Sequence, residues 1–169
     1  MVDFLGALGA SLLLIAIVGV HILEEVAKGL RRFFNLEWFR TGDEDFPITK
    51  RKAILIDQVG LFVGLALLAL LGIKWSFLTW IAIGFITADL IQHGIFSIAR
   101  RKYTPGVATS LLYLIYVSYV MARSEFGGLN ERALIAMALG AAALIINYIL
   151  AARKVQKRRA SQKPEPAAA

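Results

Sequence analysis

The sequence contains no cysteine, which removes disulfides, thiolate metal sites and cysteine nucleophiles together. Charge is scarce as well. Only 18% of the 169 residues are Asp, Glu, Lys or Arg, against 58% apolar, whereas a soluble domain of this length carries more charge and shorter apolar runs. No segment alternates polar and apolar residues, which argues against a transmembrane β-barrel. No internal repeat is visible, which weighs against an inverted-repeat transporter. Histidine is the rarest ionisable residue present, with two copies, His21 and His93.

What the chain has instead is long apolar runs. Five stand out, roughly residues 4–27, 53–73, 75–99, 106–122 and 133–152, near the length of about 20 residues that a helix needs to cross a bilayer. The fourth is the shortest. The pattern predicts an all-α, polytopic transmembrane helical bundle of five spans forming one domain over residues 1–152. The first run begins Met1-Val2-Asp3 with no basic residue and leads into a histidine and two glutamates, so it reads as a mature helix rather than a signal peptide. Residues 153–169 start basic and end Lys163-Pro164-Glu165-Pro166 before three alanines, the composition of a disordered tail.

The net charge of +7 is sorted by connection rather than gathered as a nucleic-acid patch. Lys28, Arg31, Arg32, Arg40, Lys50, Arg51 and Lys52 flank the first connection, and Arg100, Arg101 and Lys102 the third. Arg153, Lys154, Lys157, Arg158, Arg159 and Lys163 follow the last run, leaving only Lys74, Arg123 and Arg132 for the opposite side. The positive-inside rule then predicts five spans in the cell (inner) membrane, N-terminus outside and C-terminus cytoplasmic.

Membrane lipid is the expected partner, with anionic headgroups against the basic loops and tail; a homo-oligomer is compatible with the sequence. Residues 31–40 interleave arginines with Phe33, Phe34, Trp38 and Phe39, as an amphipathic segment in the headgroup region does. Docking of a substrate headgroup or a partner is the alternative. The acidic Gly42-Asp43-Glu44-Asp45 lacks calcium-loop spacing and reads as solvated loop.

Six ionisable residues fall inside the apolar runs: His21, Glu24 and Glu25 in the first, Asp57 in the second, Asp89 and His93 in the third. At 1.5 Å per residue they lie on the order of 5–17 Å inside the cytoplasmic boundary, in one slab. His21, Glu24 and Glu25 stand at i, i+3 and i+4, and Asp89 and His93 at i and i+4, so each set shares a helix face. Asp57 shares a face with Gly60 and Gly64, a spacing that admits close approach of another helix. Thr109, Tyr113, Asn147 and Tyr148 are candidate hydrogen-bond partners at similar depth.

Four carboxylates and two imidazoles form a ligand set for a divalent transition metal, zinc, iron or manganese, rather than for magnesium or calcium. The spacing differs from the Glu-x-x-His pairs of dimetal bundles. Two alternatives need no metal: Glu24 and Glu25 paired with Lys28 on the helix surface, and Asp89 paired with His93.

The residues His21-Ile22-Leu23-Glu24-Glu25 resemble the signature of the HXXEE-domain family of small multi-pass bacterial membrane proteins. The resemblance extends from the first run through the fifth. It implies an Asn-Pro-Gly turn before a later helix, where this chain has Thr104-Pro105-Gly106, a threonine in place of the asparagine. It implies a multi-pass membrane protein and brings no activity, substrate or cofactor with it.

Together these features predict an intramembrane metalloenzyme on a lipophilic substrate reached from the cytoplasmic leaflet. His21, Glu24, Glu25, Asp57, Asp89 and His93 supply the ligands, and Glu24 and Glu25 divide between ligand and general base to a water. A proton- or cation-coupled transporter is the alternative, disfavoured by the few polar residues in the outer halves of the runs. A structural protein whose cluster only fixes helix packing is the third reading.

Overall fold

In the computed structural model, which describes residues 4–44, 46, 47, 51–123 and 126–161 (for 51–57 the backbone alone), every regular element is helical. Helix α1 spans Phe4–Ala27, and a short α2 (Leu30–Arg32) runs into a π-helical turn at Phe33–Trp38. Then follow α3 (Arg51–Gly72), α4 (Ser76–Arg100), α5 (Val107–Arg123) and α6 (Glu131–Ser161). The first four apolar runs become α1, α3, α4 and α5 with ends within two residues of those expected. The fifth becomes α6, which continues through Ser161 where a disordered tail is expected from residue 153. Its Ala, Arg, Lys and Gln residues are strong helix formers, and Arg158 and Arg159 find partners there. Residues 162–169 lie outside the described residues.

Helices α1, α4 and α6, of 24, 25 and 31 residues, are long and apolar enough to cross a membrane. The 17-residue α5 and the apolar stretch Gln58–Gly72 of α3 are shorter. At 1.5 Å per residue α5 is about 26 Å long, slightly under a hydrocarbon core of about 30 Å. Large apolar side chains stand exposed on every long helix, among them Leu23, Leu67, Ile95, Ile115 and Ile146. Soluble monomers rarely present so continuous an apolar surface. It suits lipid.

Helix α4 is central, packing on α3, α5 and α6, while α1 packs on α3 and α5. The core between them is built from Leu14, Val18, Trp80, Ile83, Ile86, Tyr113 and Tyr116. Helices α4 and α6 approach one another until their backbones touch. A Cβ at Gly84 would overlap the backbone of Met137, and one at Gly140 would overlap the carbonyl of Ile81. Small residues thus let two backbones touch. The Gly60/Gly64 pair does not do this: both are exposed, and a Cβ on either would meet nothing within 4 Å.

A second core closes the basic end of the bundle. Gly29, at φ 74°, ends α1 in a conformation that glycine adopts without penalty. The chain then folds Phe33, Phe34 and Phe39 against Phe96 and Val155. Trp38 Nε1 donates to the Tyr148 hydroxyl, and Arg100 Nη2 donates to the Trp38 carbonyl at 2.8 Å. The aromatics expected in the headgroup region therefore face inward onto α4 and α6. Asp43, expected in a solvated loop, pairs with Arg158 at 2.8 Å, and Arg159 Nη2 donates to the Phe39 carbonyl at 2.7 Å.

Candidate functional site

Four residues from two helices meet at the basic half of the bundle. His21 and Glu25 lie one turn apart on α1, Asp89 and His93 one turn apart on α4, all four buried at 8% exposure or less. His21 Nε2 is 3.0 Å from Asp89 Oδ2 and 3.4 Å from Glu25 Oε1. His93 Nε2 is 3.1 Å from Glu25 Oε1 and 3.6 Å from Asp89 Oδ2. One donor atom from each of the four lies within 4.8 Å of all the others. The two imidazoles meet edge to face, centroids 5.1 Å apart, and the Tyr113 ring walls His21 at 4.8 Å.

The turn before α5 forms the remaining wall. Gly106, at φ 93°, lies against both imidazoles: a Cβ there would stand 2.6 Å from His93 Cε1 and 2.9 Å from His21 Cε1. Ser97 and Thr104 share a hydroxyl hydrogen bond of 2.7 Å, and Thr104 Oγ1 donates to the His93 carbonyl at 3.3 Å. The buried Thr104 thereby pins the turn onto α4 next to the site.

Polar pairing leaves this cluster incomplete. The His93–Glu25 contact is a hydrogen bond. His21 Nε2 makes none, although two carboxylate oxygens are within 3.4 Å, and His93 Nδ1 is also buried without a partner among the described residues. With both rings neutral, the two carboxylates place a charge of −2 in an apolar bundle, which is costly unless compensated. A divalent cation between the four atoms compensates it in full. The group is thus able to hold a metal ion.

A family model described as "protein of unknown function with HXXEE motif" matches residues 12–121. The chain belongs to this HXXEE family. The matched stretch contains all four cluster residues and the Thr104-Pro105-Gly106 turn. No curated protein and no solved structure matches the chain.

Within the HXXEE motif the two glutamates part company. Glu25 enters the cluster. Glu24, half-buried, turns to α5, where its Oε2 accepts from Thr109 N at 2.9 Å and from Thr109 Oγ1 at 2.5 Å. Thr109 Oγ1 is in turn 3.0 Å from His21 Nδ1. Of the six residues expected to converge, His21, Glu25, Asp89 and His93 do so, and Glu24 stands behind them. The side chain of Asp57 lies outside the described residues. Of the expected polar neighbours, Thr109 and Tyr113 reach His21, Tyr148 bonds Trp38, and Asn147 is exposed on α6. Sequence reasoning missed Gly106 as a wall of the site. Its signal is a glycine directly after proline, just ahead of an apolar helix.

Proposed function

We propose that this HXXEE protein is a five-span membrane protein that binds one divalent transition-metal ion through His21, Glu25, Asp89 and His93. The spacing of the four donor atoms carries this reading. The four imidazole–carboxylate distances run from 3.0 to 3.6 Å, and the four donor atoms all lie within 4.8 Å of one another, close enough for one ion to bridge them after small side-chain movements. Mixed imidazole and carboxylate favours zinc, iron or manganese over the all-oxygen preference of magnesium and calcium.

The centre serves an enzyme acting on a lipophilic substrate from the cytoplasmic leaflet. The site's depth in an apolar bundle and its place at the basic end support this, as does the bias of the basic residues for the five-span orientation. For an ion that takes five or six ligands, four protein atoms leave positions for water or substrate. Glu24, whose Oε1 has no partner among the described residues, is the nearby carboxylate for a general base. Anionic lipid headgroups meet the basic connections and the end of α6.

A structural lock between α1 and α4 is the second reading, favoured by the His93–Glu25 hydrogen bond at 3.1 Å, which needs no metal. Elemental analysis of protein purified without chelator separates the two. About one zinc, iron or manganese per chain, lost in His21→Ala and His93→Ala, is the expected result. Wild-type protein without stoichiometric metal overturns the metal reading and leaves the lock.

A further inference from the structure

We infer that Glu24 and Thr109 form a relay that sets the tautomer of His21, so that its Nε2 lone pair faces the cluster. The inference rests on the metal reading for its purpose, though not for its geometry. It gives the two glutamates of the motif different work, Glu25 inside the site and Glu24 behind it.

The Thr109 hydroxyl has one proton, and an ionised carboxylate only accepts. Glu24 Oε2 already accepts the Thr109 backbone N–H at 2.9 Å and lies 2.5 Å from Oγ1. The hydroxyl proton therefore goes to Glu24. Oγ1 then has only lone pairs to offer His21 Nδ1, 3.0 Å away, so Nδ1 must carry the proton of that hydrogen bond. A neutral imidazole with Nδ1–H has its lone pair on Nε2. That atom is the one within 3.4 Å of Asp89 Oδ2 and Glu25 Oε1 with no directed hydrogen bond to either. Two carboxylate oxygens facing that nitrogen call for a positive charge between them, a metal ion or, without one, a second proton on the ring.

The opposite tautomer breaks the chain of bonds. With the proton on Nε2, Nδ1 would need the Thr109 proton, and the short contact to Glu24 would lose its donor. A hydrogen bond from the outer nitrogen of a metal-binding histidine commonly fixes the ring and raises its basicity.

Helix geometry explains the motif spacing. Along an α-helix, i+4 falls about 40° past a full turn and i+3 about 60° short of one. Seen from His21, Glu25 is thus displaced towards α4 and Glu24 towards α5. Thr109 is the third residue of α5, where backbone N–H groups lack partners inside the helix. Glu24 satisfies one of these and orders the hydroxyl in the same contact.

A helix cap alone would not move a tautomer, so the tautomer is the readout. Imidazole 15N shifts are measured on metal-free protein in detergent, His93→Gln assigning the two rings. We expect Nδ1–H for His21 in the wild type, a shift towards Nε2–H in Thr109→Val, and its return in Thr109→Ser. Zinc affinity by titration should fall about 10–100-fold in Thr109→Val and Glu24→Gln and recover in Thr109→Ser. A wild-type His21 whose only ring proton is on Nε2, with Nδ1 bare, overturns the relay, and this holds even if Thr109→Val does not fold. An unchanged tautomer in a folded Thr109→Val overturns it as well. If the wild type takes up no zinc, iron or manganese, the metal reading fails by itself, while the metal-free tautomer still decides the relay.

Discussion

Gly106 presses its backbone against His93 so closely that a methyl group added to it would stand 2.6 Å from the ring. Gly106→Ala should therefore displace both imidazoles and abolish zinc binding. The positive φ of 93° adds a backbone penalty of about 1–2 kcal/mol for a residue with a Cβ. Gly94→Ala is the control, since a Cβ there meets nothing within 4 Å, and it should bind zinc as the wild type does. Zinc titration and thermal unfolding in detergent read both variants.

Zinc should stabilise the protein, and acid should remove that stabilisation. At a free zinc concentration of 100 Kd the gain is about 2.7 kcal/mol. Imidazole and carboxylate bind metal in their deprotonated forms, so affinity falls as pH falls. The unfolding temperature with zinc should approach that of the chelated protein as the buffer is acidified. A zinc increment that stays constant down to acidic pH would contradict a site built from His21 and His93.

The glycines sort into two classes. Gly140→Leu forces a side chain into the backbone of Ile81 and Phe85 and should cost about 3 kcal/mol, the upper end of the usual range for overpacking. Gly60→Ala and Gly64→Ala face open space and should be neutral or stabilising by about 0.5–1 kcal/mol. Reversible unfolding in mixed detergent measures the difference.

The absence of cysteine makes the proposed orientation easy to test. Single substitutions Arg40→Cys and Lys157→Cys should react with an impermeant maleimide only after the cytoplasmic face is opened. Lys74→Cys should react from outside in intact cells. Labelling of positions 40 and 74 from one side would rule out the five-span arrangement.

Helix positions were legible because an apolar run needs no tertiary information: its length and its charged ends mark the helix. The cluster was legible in part, because i, i+4 spacing puts His21 with Glu25 and Asp89 with His93 whatever else packs nearby. Which of two adjacent glutamates turns inward was not. That depends on how α1 is rotated against α4 and α5, a property of packing. The Gly60/Gly64 spacing suggested the wrong seam for the same reason. The true contact pairs Gly84 with Met137 and Gly140 with Ile81, residues with no shared local motif. Small residues at Ala133, Ala136 and Gly140 on α6, all buried, are the trace it leaves in the sequence.

Two places where helices of the bundle meet answer to different forces. Where α4 meets α6, glycine against backbone fixes the distance by shape, and solution conditions have little hold on it. Where α1 faces α4 at the cluster, imidazoles and carboxylates span the gap. That seam is a chemical fastener. Chelator or acid should let the α1 side of the bundle breathe while α4 and α6 stay clasped, so hydrogen exchange should rise first around His21.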